Sequence, residues 1–177
     1  MRPYHRGTLR EEALDEAARI VETDGIGALT LRELARRLEV SHAAPAHHFG
    51  DRQGLLTALA TQGFARLAAA LDVDDFLEAA VAYVRFATVD ERGRFTVMFA
   101  TDALRADNPD LAAARAAADE VFRRGLGTVT SNSPDEALAA HALVHGLAQL
   151  YNSGSVAQAD DAVTLARRLA PLLFDRE

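Results

Sequence analysis

Apolar side chains recur along this chain at every third or fourth position and almost nowhere at every second, the spacing of helices and not of strands. Leu9, Ala13, Ala17, Ile20 and Val21 form the first such stripe. Thr8 and Glu11 are spaced as a capping box at its start, and Asp24-Gly25 mark its end, glycine supplying a left-handed cap. A second stripe, Leu31, Leu34, Ala35 and Leu38, follows Thr30 and Glu33, again at capping-box spacing, and predicts a helix of only about nine residues. Glu39, Val40 and Ser41 then read as a tight turn. Ser41 is placed to cap a third short helix running through His48 and Phe49. Pro45 falls four residues after that cap, one step past the positions where proline is tolerated without cost, so a tight or distorted first turn is expected. Gly50-Asp51 break the chain before a fourth helix bearing Leu55, Leu56, Leu59 and Phe64.

From about Asp72 onward the periodic segments lengthen, and helices are expected over 75–89, 92–104, 109–125, 134–153 and 160–174. Ser133, Pro134 and Glu136 are the clearest start signal among them, with a serine cap, proline at the first helical position and a capping-box glutamate. The fold class that follows is all-α with about nine helices. An N-terminal three-helix helix-turn-helix domain is expected over 6–66, and a C-terminal helical bundle over 67–177, the fourth helix bridging them.

Composition narrows the chemistry. The chain has 177 residues and no cysteine, which excludes disulfides, thiolate nucleophiles and cysteine-ligated zinc. No run approaches 18 apolar residues, and Met1 to Arg10 is polar with Arg2, Arg6 and Arg10, unlike a secretory signal; a cytoplasmic protein without a membrane partner is expected. No G-x-S-x-G elbow or phosphate-cradling glycine loop occurs, so no enzyme activity and no cofactor are implied. The net charge of -7 argues against a polyanion partner until its distribution is considered. Residues 1–60 hold eight Arg against nine acids together with His5, His42, His47 and His48, and the first ten residues carry three Arg and no acid. Every basic residue apart from histidine is Arg, as GC-rich codon usage would give.

A short helix, a tight turn and a second short helix, packed on a longer first one, describe a helix-turn-helix. The second helix of such a pair enters the major groove by its N-terminal residues, which here turns Ser41, His42, Ala43, Ala44 and His47 toward DNA while Val40 and Phe49 face inward. The two alanines offer only contact with a thymine methyl, leaving His42 and His47 as the polar readers of bases.

These residues carry a resemblance. The run Gly25-Ile26 through Leu29-Thr30-Leu31-Arg32-Glu33-Leu34-Ala35, then Val40-Ser41, His48-Phe49, Asp51-Arg52 and Leu55-Leu56, is similar to the N-terminal signature of the TetR family over about residues 6–66. The resemblance implies that Thr30 bonds a DNA phosphate at the start of the second helix and that His48 and Arg52 hold phosphates around the fourth. With Arg32 the DNA-binding set is Thr30, Arg32, Ser41, His42, Ala43, Ala44, His47, His48 and Arg52. The family's usual aromatic is replaced by Ala46, which removes a phosphate contact. The stretch Leu143-Val144-His145-Gly146-Leu147-Ala148, with Arg94 to Phe99 before it, resembles a TetR C-terminal class named for a Trp, His-Gly pattern, although this chain has no tryptophan.

Plainer readings stand beside these. Thr30 and Ser41 are also good helix caps, and His42 and His47 could be solvated surface side chains. His141 and His145 share a helix face at a spacing that metal sites use, but no HExxH pattern is present; lining of a ligand pocket and plain structure are the alternatives, and no metal is expected. Tyr83, Phe86, Phe95, Met98, Phe99, Phe122 and Tyr151 are ordinary core candidates, and a sensor would carve its pocket among them. Phe99, Phe122 and His145 are the expected lining of a site for an unknown small-molecule effector.

The segment 134–153 has little polar face, and 160–174 carries a similarly wide apolar stripe, so each needs cover on two sides. A second copy of the chain can supply it by a two-fold four-helix interface. The function expected from all this is a DNA-binding transcriptional regulator, a ligand-responsive repressor that grips a palindromic double-stranded operator as a homodimer, its recognition helices roughly 34 to 36 Å apart. The alternative is an all-helical small-molecule-binding protein or metal-dependent enzyme that never touches DNA.

Overall fold

The computed structural model describes residues 6–131, 133–156 and 160–173. Among these residues there is no strand, and nine α-helices follow one another: α1 (Arg6–Asp24), α2 (Leu31–Arg37), α3 (Ala43–Phe49), α4 (Arg52–Ala70), α5 (Phe76–Arg85), α6 (Arg92–Met98), α7 (Pro109–Leu126), α8 (Pro134–Asn152) and α9 (Ala162–Leu169). The chain is all-α, as its periodicity requires. No described helix is long and apolar enough to cross a membrane. His5 and the residues before it, and Phe174 at the end of the expected last helix, lie outside the described residues.

Several boundaries differ from the pattern, each for a local reason. α1 begins at or before Arg6, so Thr8 lies inside it and not at the expected start. The expected helix 75–89 is regular only to Arg85; Phe86–Asp90 widen into one π turn, and the side chain of Asn152 donates to the Ala87 carbonyl at 3.0 Å. The expected helix 92–104 stops at Met98, and a 3-10 turn (Thr101–Ala103) precedes an extended Leu104. Asp161 caps α9 through the Thr164 N–H, and the chain then tightens into a 3-10 turn (Ala170–Leu173). Ser133, Pro134 and Glu136 form the full reciprocal capping box at the start of α8.

The helices group into two compact units that do not follow chain order: the residues up to Gly63 with Arg92–Ala113, and Phe64–Glu91 with the residues from Ala114 onward. In the first, α1 buries Leu9, Ala13, Leu14, Ala17, Ile20 and Val21, and α6 lies against it. The approach is close because Gly93 has no side chain: a Cβ there would stand 2.1 Å from the Ala18 carbonyl oxygen. Arg94, buried beside it, donates to Gln62 on α4 at 3.0 Å and pairs with Asp15 on α1. In the second unit α5 packs on α8 and α9, burying Phe76, Tyr83, Val84, Val144, Leu147 and Leu165.

Candidate nucleic-acid interface

Thr30 is extended (φ -129°, ψ 157°), and its hydroxyl accepts the Glu33 N–H at 3.1 Å, so α2 begins where the Thr-x-x-Glu spacing places it. Glu33 turns its carboxylate to Arg36, at 2.7 and 2.9 Å, and to Arg37, at 2.9 Å. Hydrogen bonds from Arg36 and then Arg37 hold its carboxyl down at about 2. Arg37 also pairs with Asp24, which ties the last turn of α2 to the end of α1.

α2 ends through a left-handed residue, Glu39 (φ 55°), with the Val40 N–H donating to the Ala35 carbonyl at 3.1 Å. The start of α3 corrects the expected Ser41 cap. The residue before the helix is His42, whose side chain caps nothing, while the Ser41 carbonyl accepts from the Ala44 N–H at 3.0 Å. α3 therefore starts at Ala43 and Pro45 is its third residue, where a backbone N–H has no partner inside the helix. The first turn is tight, as expected, closed by the Ala44–Ser41 bond over three residues, and proline's missing donor falls among those that every helix leaves unpaired.

One edge of α3 is open. Ser41, His42, Ala43 and His47 are exposed and Ala44 is half-buried, whereas Pro45 and Phe49 are buried; Val40, expected to face inward, is only half-buried. His47 and His48 meet edge to face at 5.7 Å, and the Arg10 guanidinium lies over the Phe49 ring at 5.8 Å. Thr30, Arg32 and His42 converge on a groove of about 340 Å³, joined there by Arg36. The sequence reading missed Arg36, though it follows Arg32 by four residues and so shares its helix face. Arg52 donates through Nε to the Leu29 carbonyl and through one Nη to the Ile26 carbonyl, both at 2.7 Å, and so braces the turn that enters α2.

The second unit holds a different cluster. On α8 the His141 and His145 rings stack at 5.6 Å with 17° between their planes. The Tyr83 hydroxyl lies 3.0 Å from His145 Nδ1, and the Phe122 ring meets His141 edge-on at 5.9 Å. Burial pushes both imidazoles below their ordinary range; nearby Asp119 partly opposes this at His141, and His141 adds to it at His145. Burial also pushes the Tyr83 phenol up. Of the three residues expected to line a ligand site, Phe122 and His145 meet in this cluster; Phe99 belongs to the first unit, its ring 5.0 Å from that of Phe95. Among the described residues no three His, Cys, Asp or Glu side chains converge as metal ligands would.

Comparison with known proteins bears on both units. Residues 13–59 match the family profile described as bacterial regulatory proteins, tetR family, and residues 76–173, more than half of the chain, match the profile described as Tetracyclin repressor-like, C-terminal domain. The chain belongs to the TetR family. Its N-terminal TetR match takes in Thr30, Arg32, all of α3 and Arg52. The HTH-type transcriptional repressor AcnR of Corynebacterium glutamicum is 35% identical over 69 residues, 39% of this chain but only 37% of that repressor's length. A solved structure of a protein of unknown function from Rhodococcus sp. RHA1 is 32% identical, covers 98% of this chain and 97% of its own, and superposes with a TM-score of 0.79. The multidrug binding protein EbrR, solved in complex with ethidium, shares the fold at 24% identity, with 96% and 99% of the two chains covered and a TM-score of 0.64.

Proposed function

We propose that this TetR-family chain is a ligand-responsive transcriptional repressor that binds a palindromic operator in the cytoplasm as a homodimer. The observation that carries the reading is the pairing of a Thr-capped α2 with a seven-residue α3 whose first residues are exposed while Pro45 and Phe49 anchor it beneath. An edge so presented fits a major groove, with His42 and His47 meeting bases, Ala43 and Ala44 able to touch thymine methyls, and Ser41 at the rim. Thr30, Arg32 and His48 are assigned to phosphates. Arg52 serves mainly to hold the turn before α2, since two of its donors are already bonded to backbone carbonyls. We assign DNA reading to residues 6–66 and effector binding with dimerisation to 67–177.

The ligand reading rests on the Tyr83, Phe122, His141 and His145 cluster, an aromatic and imidazole wall suited to a flat or hydrogen-bonding effector. Phe99 is kept in the set on its sequence position alone, and the Trp, His-Gly class on His145-Gly146 alone. Dimerisation through 134–153 and 160–174 is supported by what α8 leaves uncovered: Leu138 and Leu150 are 69% and 50% exposed, as is Leu172 at 67%. An effector that favours one conformer would shift operator affinity by its preference for that conformer.

The test is a binding titration against salt, with a duplex enriched by the wild-type chain from a random library. Thr30→Ala and Arg32→Ala should weaken binding to all duplexes, and Arg32→Ala should also lower the salt slope by about one for each phosphate that a subunit no longer holds, while His47→Ala should change the enriched sequence. Normal affinity, slope and sequence preference in all three variants would reject this docking.

A further inference from the structure

Between the Thr101–Ala103 turn and α7 the chain runs extended at Leu104, and a backbone N–H buried there needs a partner. The partner of the next one, that of Arg105, is the hydroxyl of Thr57 on α4, which accepts it at 3.0 Å. The same hydroxyl donates to the Gln53 carbonyl at 2.7 Å, and Thr57 is 3% exposed. Two further contacts join the same segments. The Gln53 side-chain amide donates to the Leu104 carbonyl at 3.3 Å, and the Arg105 guanidinium donates to Asp51 at 2.8 Å. Asp51 uses its other oxygen to accept the Gly54 N–H at 2.7 Å, capping α4. Gly54 in turn lies so near the end of α3 that a Cβ on it would stand 2.0 Å from the Phe49 carbonyl oxygen.

The dipeptide Leu104-Arg105 is thus joined to two turns of α4, and α4 is locked by Gly54 to the last residue of the reading helix. We infer that Thr57 is a positioning residue for DNA reading: by holding Arg105 it fixes the rotation of α4, and through Gly54 and Phe49 the angle at which α3 is presented. Thr57 is buried, with no surface to offer a base. Asp51 and Arg105 are both well exposed, so their ion pair adds little alone; the buried hydroxyl is the decisive contact. The inference rests on the DNA-reading proposal and adds to it a residue outside the set assigned to DNA.

The experiment uses the full chain, the duplex enriched by the wild type and a scrambled duplex of equal length. Thr57→Val keeps the shape and removes the hydroxyl; Thr57→Ser keeps the hydroxyl. At a temperature where circular dichroism shows each variant folded, Thr57→Val should bind the enriched duplex about tenfold more weakly and the scrambled duplex nearly as before, and Thr57→Ser should recover most of the selectivity. A merely structural role would leave the ratio of the two affinities unchanged, and an unchanged ratio in Thr57→Val overturns the inference. Should Thr57→Val fail to fold, Thr57→Ala, which also removes the hydroxyl but sets no added methyl against the Arg105 N–H, reads the same ratio: a drop supports the inference and no change overturns it. A wild-type chain that enriched no duplex at all would instead remove the DNA-reading proposal itself.

Discussion

Gly93 has no room for a single methyl group, because its missing Cβ points at a backbone carbonyl of α1 that cannot swing aside as a side-chain tip would. Gly93→Ala should destabilise the chain by about 3 kcal/mol, read as a lower urea midpoint at unchanged slope; a midpoint equal to wild type would show that α6 can back away freely. Gly146, on α8, meets nothing within 4 Å and should accept alanine at no such cost. The imidazoles of His141 and His145 act at the same scale through protons. Burial holds both below the ordinary value of 6.5, so the unfolded chain binds more protons than the folded one once the pH falls into that range. Their contribution to stability is therefore complete above about pH 7 and is lost as the pH drops through 6.5 toward their folded values. Urea midpoints should fall between pH 7.5 and 5.5, and the fall should be shallower in a His141→Gln, His145→Gln double variant. An identical fall in that variant would assign the pH response to other groups.

Among the helices, those announced by both a cap and a stripe are legible in the amino-acid sequence alone. Thr30 with Leu34 and Ala35, and Ser133-Pro134-Glu136 with Val144 and Leu147, appear where the sequence puts them, because capping and periodicity are local properties. What misled were signals whose outcome depends on distant chain. Leu104 continues the period of α6, yet it leaves the helix so that Arg105 can reach a hydroxyl 48 residues away. Val89 continues the period of α5, but the Ala87 carbonyl is taken by Asn152, 65 residues on, where a π turn frees it. The family resemblance gives Arg52 to a DNA phosphate, and only the folded chain shows the two carbonyls it braces. The α8 stripe reads as apolar all round, and the fold divides it: Val144 and Leu147 are buried within the chain while Leu138 and Leu150 face out. That division gives a direct test of the proposed dimer. Leu138→Glu with Leu150→Glu should leave the helical spectrum intact and shift the sedimentation coefficient from dimer to monomer; a doubly substituted chain that stays dimeric would move the interface away from α8.

For the molecule as a whole, the net charge of -7 hides the feature that matters, which is where the cations are committed. Arg37 and Arg94 are engaged by acids within the fold, and Arg36 by Glu33, while Arg32, His42 and His47 lie on the open edge. The compact units also depart from the order of the chain, since the segment Arg92–Ala113 packs with α1 and α4 even though it follows α5 in sequence. Arg94 and Asp15 meet across 79 residues, a pairing that no periodicity could announce. The practical consequence falls on anyone building chimeric regulators. A reader cut at residue 66 and fused to a foreign sensor would carry α1 without the glycine and arginine that seal its back, and would expose that apolar face to water; a hybrid meant to work has to transplant two separate stretches of polypeptide together.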